Sequence, residues 1–180
     1  EYGETRLFAY YVDQGKYWGW NTAGYTWFGT GGNTSSQARG DKRFLWGLSW
    51  AAIRKANIGL ANLDLLTEGT DDEKKLIAGQ LYFFRGWYHF MLMQYWGGLP
   101  YIHYVLPTDE SPKLPRLTYQ ETADKAALDF QKAAELLPVN WDSIPDGKAT
   151  IGANNLRINK VMALAYLGKD LLWAGSPLMN

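Results

Sequence analysis

No cysteine occurs anywhere in the 180 residues. That single absence excludes a disulfide framework, a thiolate zinc site and a cysteine nucleophile together. Histidine is nearly absent too. His89 and His103 are the only two, they have no partner at H-x-x-x-H spacing, and a structural role is expected for both. Charge of one sign is also missing, because 18 basic residues balance 18 acidic ones. No basic face is therefore expected for nucleic acid, nor a basic patch for an anionic bilayer. No stretch approaches the roughly 18 apolar residues of a membrane-spanning helix. The richest, Leu81 to Trp96, is broken by Arg85, His89 and Gln94 and reads as a buried helix. Glu1 is preceded by no Met and followed by no basic-then-apolar leader, as expected of a chain processed or cut from a longer one.

Catalytic patterns are equally scarce. The serines sit in no G-x-S-x-G elbow. Gly29-Thr30-Gly31-Gly32 is followed by no Gly-Lys-Ser/Thr and opens no helix, so it is no phosphate cradle. A glycosidase needs two acids flanking the sugar bond, yet between Gln14 and Leu63 the one acid is Asp41, which reads as a helix cap. Asp71, Asp72 and Glu73 occupy a first helical turn, where acids favour the helix dipole and face water. The expectation is a binding protein rather than an enzyme, with no cofactor and no metal.

What the chain has in excess is aromatic rings: nine Trp, twelve Tyr and seven Phe. Along the chain these rings alternate between helical patterns and one irregular stretch. Residues 4–13 read as the end of a helix, and residues 14–40 as a long aromatic-rich, glycine-rich loop of the kind that is usually functional. From about Asp41 to Leu66, Leu45, Leu48, Ala52, Ala56, Leu60 and Leu63 recur at helical spacing. Thr70 and Glu73 form a capping box for a second helix that stops at Gly97-Gly98, and Thr118 with Glu121 opens a third that ends before Pro138. A fourth is expected over about Asn155–Ala174, after a Gly/Pro/Asp loop. The fold class is all-α, mainly TPR-like antiparallel helical hairpins with long inserted loops. It is read as a single domain over 1–180, with hairpins at 41–96 and 118–174. Ala126, Phe130, Ala133 and Pro138 carry the tetratricopeptide offsets A-x3-F-x2-A-x4-P. Trp46, Trp50, Trp87, Tyr88 and Trp96 fall on helices, where core packing is expected.

The candidate site lies in the irregular stretch. Tyr17 to Asn33 holds no charged residue but six rings and five glycines. Trp18, Trp20, Tyr25 and Trp27, flanked by Asn21, Asn33 and Arg39, suit a neutral sugar. The C–H face of a pyranose stacks on a ring, and the amides and guanidinium pair with its hydroxyls. The alternation at 18/20 and 25/27 equally suits strands packing one face on the helices.

The segment LYFFRGWYHFMLMQYWGGLPYI resembles the "RA-x-x-Y-F-x-L-x-x-x-(Y/F)-G-x-(V/L)-P" signature of SusD/RagB-like proteins. Arg85, Phe90, Gly97, Leu99 and Pro100 match it, Gly98 fills its open position, Trp96 stands at its Tyr/Phe position, Tyr88 lies one residue before its Tyr, and Gly86 replaces the usual Ala. Trp50–Leu66 with its internal Asn57, Pro115-Arg116 before Thr118–Glu121, the helix end LLPVNW and the final LWAGSPLMN agree in order. The resemblance implies an N-terminal fragment of an outer-membrane, cell-surface lipoprotein whose lipidated cysteine lies upstream of Glu1. It implies an oligosaccharide ligand handed to a SusC-like TonB-dependent porin, with a peptide ligand as the alternative within the family. Outside the family, the alternatives are a TPR-type protein-interaction scaffold and a fragment of a helical-toroid glycosidase.

Overall fold

A computed structural model describes residues 45–107 and 113–179. The chain divides into two units, residues 1–48 and 49–180, and the second is described here with the helix that leads into it. Its order is α1 (Leu45–Ala61), α2 (Asp71–Trp96), α3 (Tyr119–Leu136), α4 (Pro145–Lys148) and α5 (Lys160–Ala174), with 3-10 turns at Leu63–Leu65 and Trp141–Ser143. No strand is present among the described residues. None of the described helices is long and apolar enough to cross a membrane.

Both capping boxes form. Thr70 Oγ1 accepts from the Glu73 amide at 3.2 Å while Glu73 Oε2 accepts from the Thr70 amide at 2.7 Å. Thr118 and Glu121 repeat the exchange at 3.1 and 2.8 Å. Each box satisfies amides that the first turn leaves without a helical partner. At the other end of α2, Gly97 adopts φ 74° and donates its N–H to Met93 O, the left-handed geometry that glycine reaches without a Cβ penalty.

Two helix ends differ from the periodicity. The α1 pattern runs on to Leu66, but the helix stops at Ala61 and continues as a 3-10 turn, with the Asn62 side chain folding back onto Ile58 O at 2.7 Å. Helix α5 starts at Lys160 rather than near Asn155. Asn159 is its N-cap, accepting from the Met162 amide at 2.9 Å. Asn154 is instead drawn into the preceding turn by Asp142, Gly147 and Thr150. The start at Asp41, the helix end at 4–13 and the loop at 14–40 lie outside the described residues.

Successive helices run antiparallel. Trp50 meets His89, Asn57 meets Arg85 and Gly59 meets Leu81 between α1 and α2. Gly79 faces Leu137 and Gly86 faces Ala126 between α2 and α3. Gln120 bonds Ala174 O, and Lys160 N bonds Pro138 O, between α3 and α5. Helices α2 and α3 can approach closely because a Cβ on Gly86 would stand only 3.2 Å from Ala126 O. The core where α2, α3 and α5 meet is aromatic. Phe83, Phe90 and Phe130 are fully buried and pack around the Tyr166 ring at centroid distances of 5.6, 6.3 and 6.0 Å. The repeat residues Ala126, Phe130 and Ala133 are each at 0% exposure. Trp46, Trp50, Trp87, Tyr88 and Trp96, expected in the core, are only half-buried. Smaller phenyl rings and Leu92, Leu99 and Met93 fill the tightest space instead.

Phe130→Ala should lower the unfolding free energy by about 3–5 kcal/mol in a urea titration, the cost of a sealed phenyl ring plus the cavity it leaves. Leu128→Ala, on the exposed side of the same helix, should change it by less than about 0.5 kcal/mol.

Candidate functional site

Three helices each send a polar side chain to one buried point. Arg85 of α2 makes a bidentate ion pair with Asp129 of α3, Nη2 to Oδ1 at 2.6 Å and Nε to Oδ2 at 2.7 Å. Its Nη1 donates to Asn57 Oδ1 of α1 at 3.0 Å and to His103 O at 3.2 Å. The Tyr101 hydroxyl donates to the same Asp129 carboxylate at 2.6 Å. Burial, and then the charge and hydrogen bond of Asp129, hold the Tyr101 hydroxyl protonated well above the usual phenol range.

This cluster holds an extended segment, residues 99–106, whose backbone has no sheet to bond with. Its polar groups need other partners, and helix side chains supply them. Thr122 Oγ1 serves both the N–H and the C=O of Leu99. Asn57 Nδ2 donates to Ile102 O and Tyr104 O at 3.0 Å each, and Arg54 Nη1 donates to Leu106 O at 2.7 Å. The Ile102 amide donates to His89 Nε2 at 3.1 Å, which leaves the ring proton on Nδ1, where it is given to Arg85 O at 2.8 Å. Burial drives the His89 pKa down to about 3, so the ring is neutral and stacks on Tyr101 at 3.8 Å.

Fixing that segment creates a cleft of about 320 Å³ between it and α1, lined by Trp50, Ala51, Ile53 and Arg54 on one side and Ile102, Tyr104 and Leu106 on the other. It has the size and apolar character of a small-ligand site. The half-buried Trp50 and the 45% exposed Tyr104 offer rings, and Arg54 a guanidinium. The sequence-stretch candidates Trp18, Trp20, Asn21, Tyr25, Trp27, Asn33 and Arg39 all lie outside the described residues. Residue patterns alone did not single out Asp129, Thr122, Arg54 or Tyr104. Asp129 left a trace: an acid standing on the apolar stripe of α3, between Ala126 and Ala133. Among the described residues, no group of three or more acids and histidines could hold a metal ion.

A second buried acid is unlike Asp129. Asp170 on the inner face of α5 is at 0% exposure and neither oxygen has a hydrogen-bond partner. Burial, with the nearby charge of Asp124, lifts its pKa to about 7. Burial and Asp170 together push the Tyr119 hydroxyl up to about 12.

The arrangement is that of paired antiparallel helices that clamp an extended segment and leave a cleft beside it. A family model described as "Starch-binding associating with outer membrane" matches residues 1–169. The chain belongs to the SusD-like family. It is 31% identical over 112 residues to SusD-like protein P2 of Formosa agariphila, an overlap of 60% of this chain and 22% of that protein. Among solved structures, a SusD-like protein of Bacteroides fragilis superposes with a TM-score of 0.68 at 23% identity, over 84% of this chain and 27% of that one. A SusD-like carbohydrate binding protein of Bacteroides vulgatus gives 0.67 at 19%, over 96% and 36%. The chain thus spans about a quarter to a third of the relatives it matches.

Two predictions follow from the buried groups. Asp129→Asn or Arg85→Met alone should destabilise the fold by about 3–5 kcal/mol, because each leaves an uncompensated buried charge. The double variant Arg85→Met/Asp129→Leu should recover a large part of that loss in the same denaturation assay. The pH dependence sets two groups against each other. His89, with a folded pKa lowered from 6.5 to about 3, gives stability that is present above 6.5 and lost as pH falls. Asp170, with a folded pKa raised from 3.8 to about 7, gives stability that is present below 3.8 and lost as pH rises. Each slope is about 1.4 kcal/mol per pH unit, so from these two groups the wild type should be nearly flat between pH 4 and 6.5. Asp170→Asn should show stability rising with pH through that window, read from urea midpoints at successive pH values.

Proposed function

We propose that this protein captures oligosaccharides at the cell surface and passes them to a SusC-like TonB-dependent outer-membrane porin, acting by binding and not by catalysis. The observation that carries this reading is the family match over residues 1–169, which contains the uncharged ring-and-amide stretch at 17–33. Solved relatives of like fold include a surface glycan-binding protein A of Bacteroides uniformis, with a TM-score of 0.62. In this reading, Trp18, Trp20, Tyr25 and Trp27 stack against sugar rings, while Asn21, Asn33 and Arg39 bond hydroxyls. The protein is held at the outer membrane by a lipid anchor on a segment upstream of Glu1. A neutral ligand is favoured over an ionic one, because the 17–33 stretch holds no charge to offset the desolvation of an ion, and Arg39 and Lys42 lie outside it.

Titration of the full-length protein with neutral oligosaccharides should quench or enhance tryptophan fluorescence with saturation. Replacing an exposed ring among Trp18, Trp20, Tyr25 and Trp27 by Ala should weaken binding by about 1–2 kcal/mol or more and leave the unfolding midpoint nearly unchanged. Saturable binding of peptides but not of oligosaccharides would move the protein to the peptide-binding alternative. Ring variants that unfold the protein would place those rings in its core.

A further inference from the structure

A carboxyl shut away from water is costly unless it is paired or hydrogen-bonded. Asp170 is neither. It stands at 0% exposure on the inner face of α5, and no hydrogen bond reaches either oxygen. The Tyr119 hydroxyl, in the first turn of α3, is buried and without a partner as well. The charge that acts on Asp170 is that of Asp124, also on α3 and of the same sign. From the 99–106 segment, Tyr101 lies within its influence, but that hydroxyl is already given to Asp129. From α2, Phe83 and Phe90 reach α5 at Tyr166 and Trp173 and present rings. On α5 itself, Lys169 lies over the Phe90 and Tyr166 rings. The carboxyl therefore fits its place only with its proton on, and burial with the Asp124 charge keeps the proton there up to about pH 7.

Two features make the packing of α5 depend on that proton. The Gln120 side chain donates to Ala174 O at 2.6 Å and ties the end of α5 to the first turn of α3. Gly168 stands two positions before Asp170, and a helix yields most readily at an internal glycine. We propose that the end of α5, residues 168–174, and the first turn of α3 form a proton-dependent latch. It is closed while the Asp170 carboxyl carries its proton, and it opens by fraying of α5 from Gly168 onward when the carboxylate takes up water. The same turn of α3 holds Leu99 through Thr122 Oγ1, so the latch adjoins an anchor of the segment that walls the cleft. The closed latch binds the proton more tightly than the open one. Closure is therefore fully favoured below pH 3.8 and loses its advantage as pH rises to about 7. His89 titrates in the opposite sense in global unfolding, but it faces Trp50 and Tyr101 and stays enclosed when the end of α5 frays.

Native-state hydrogen exchange on the full chain reads such local opening, with each protection factor corrected for intrinsic exchange at the same pH. The amides of residues 171–175 should lose protection about tenfold per pH unit from pH 5 to 6.5 and level off above about 7. The amides of residues 90–93 in α2, which open only with the whole fold, should keep nearly constant protection over the same range. Asp170→Asn has the shape of the protonated acid and should remove the slope at residues 171–175. Asp124→Asn, at an exposed position, removes the like charge, so the levelling-off should move to lower pH. This second variant keeps the test decisive if Asp170→Asn does not fold. Equal slopes in the two sets of amides, a slope that survives in Asp170→Asn, or a levelling-off that stays in place in Asp124→Asn overturns the proposal.

Discussion

The ion pair between Arg85 and Asp129 is the constraint around which the other helices are arranged. Two charges withdrawn from water are expensive, and their attraction offsets that cost only when the remaining donors and acceptors are also satisfied. Here the carboxylate accepts two guanidinium bonds and the Tyr101 hydroxyl. The guanidinium reaches Asn57 and His103 O with its other edge. Those obligations fix α1, α2, α3 and the 99–106 segment to one another at a single buried point. They also explain how an extended stretch of chain can stand between helices without a sheet.

The features legible in the sequence were those whose cause lies within a few residues. Two capping boxes, the Gly97-Gly98 stop and the Ala126–Phe130–Ala133 stripe each state their structure locally, and each is present in the fold. The features missed depend on distance. Asp129 finds its partner 44 positions away, and a lone acid on an apolar stripe does not announce which residue it awaits. The start of α5 shifted because Asn154, a plausible cap by type, is held by its own turn, while Asn159 caps the helix. The half-buried tryptophans follow from size, since phenylalanine fits the tight α2–α3 contact where an indole does not. Of the binding chemistry, the sequence offered the 17–40 stretch, whereas the geometry offers the Trp50–Tyr104 cleft. That cleft depends on a wall made by residues some fifty positions from α1, as the Arg54–Leu106 bond shows.

The residues that carry the sequence resemblance belong to the frame. Arg85 is enclosed in its ion pair, Gly97 turns the chain out of α2, and Leu99 is sealed against Thr122. None of them faces the cleft. A frame fixed in this way keeps the helices in register with one set of positions and leaves the residues that line the cleft outside that duty.

Gly98 gives the connection between α2 and α3 a property of its own. A Cβ there would collide with Leu117 O, so the segment leaving α2 and the segment entering α3 pass in contact. Arg116 bonds Gly98 O and Trp96 O across the same junction. The connection is thus tied off at its neck, like a bag closed by a drawstring. Residues added between Leu106 and Arg116 would lengthen a loop whose ends are already joined, and the entropic cost of doing so grows only with the logarithm of its length.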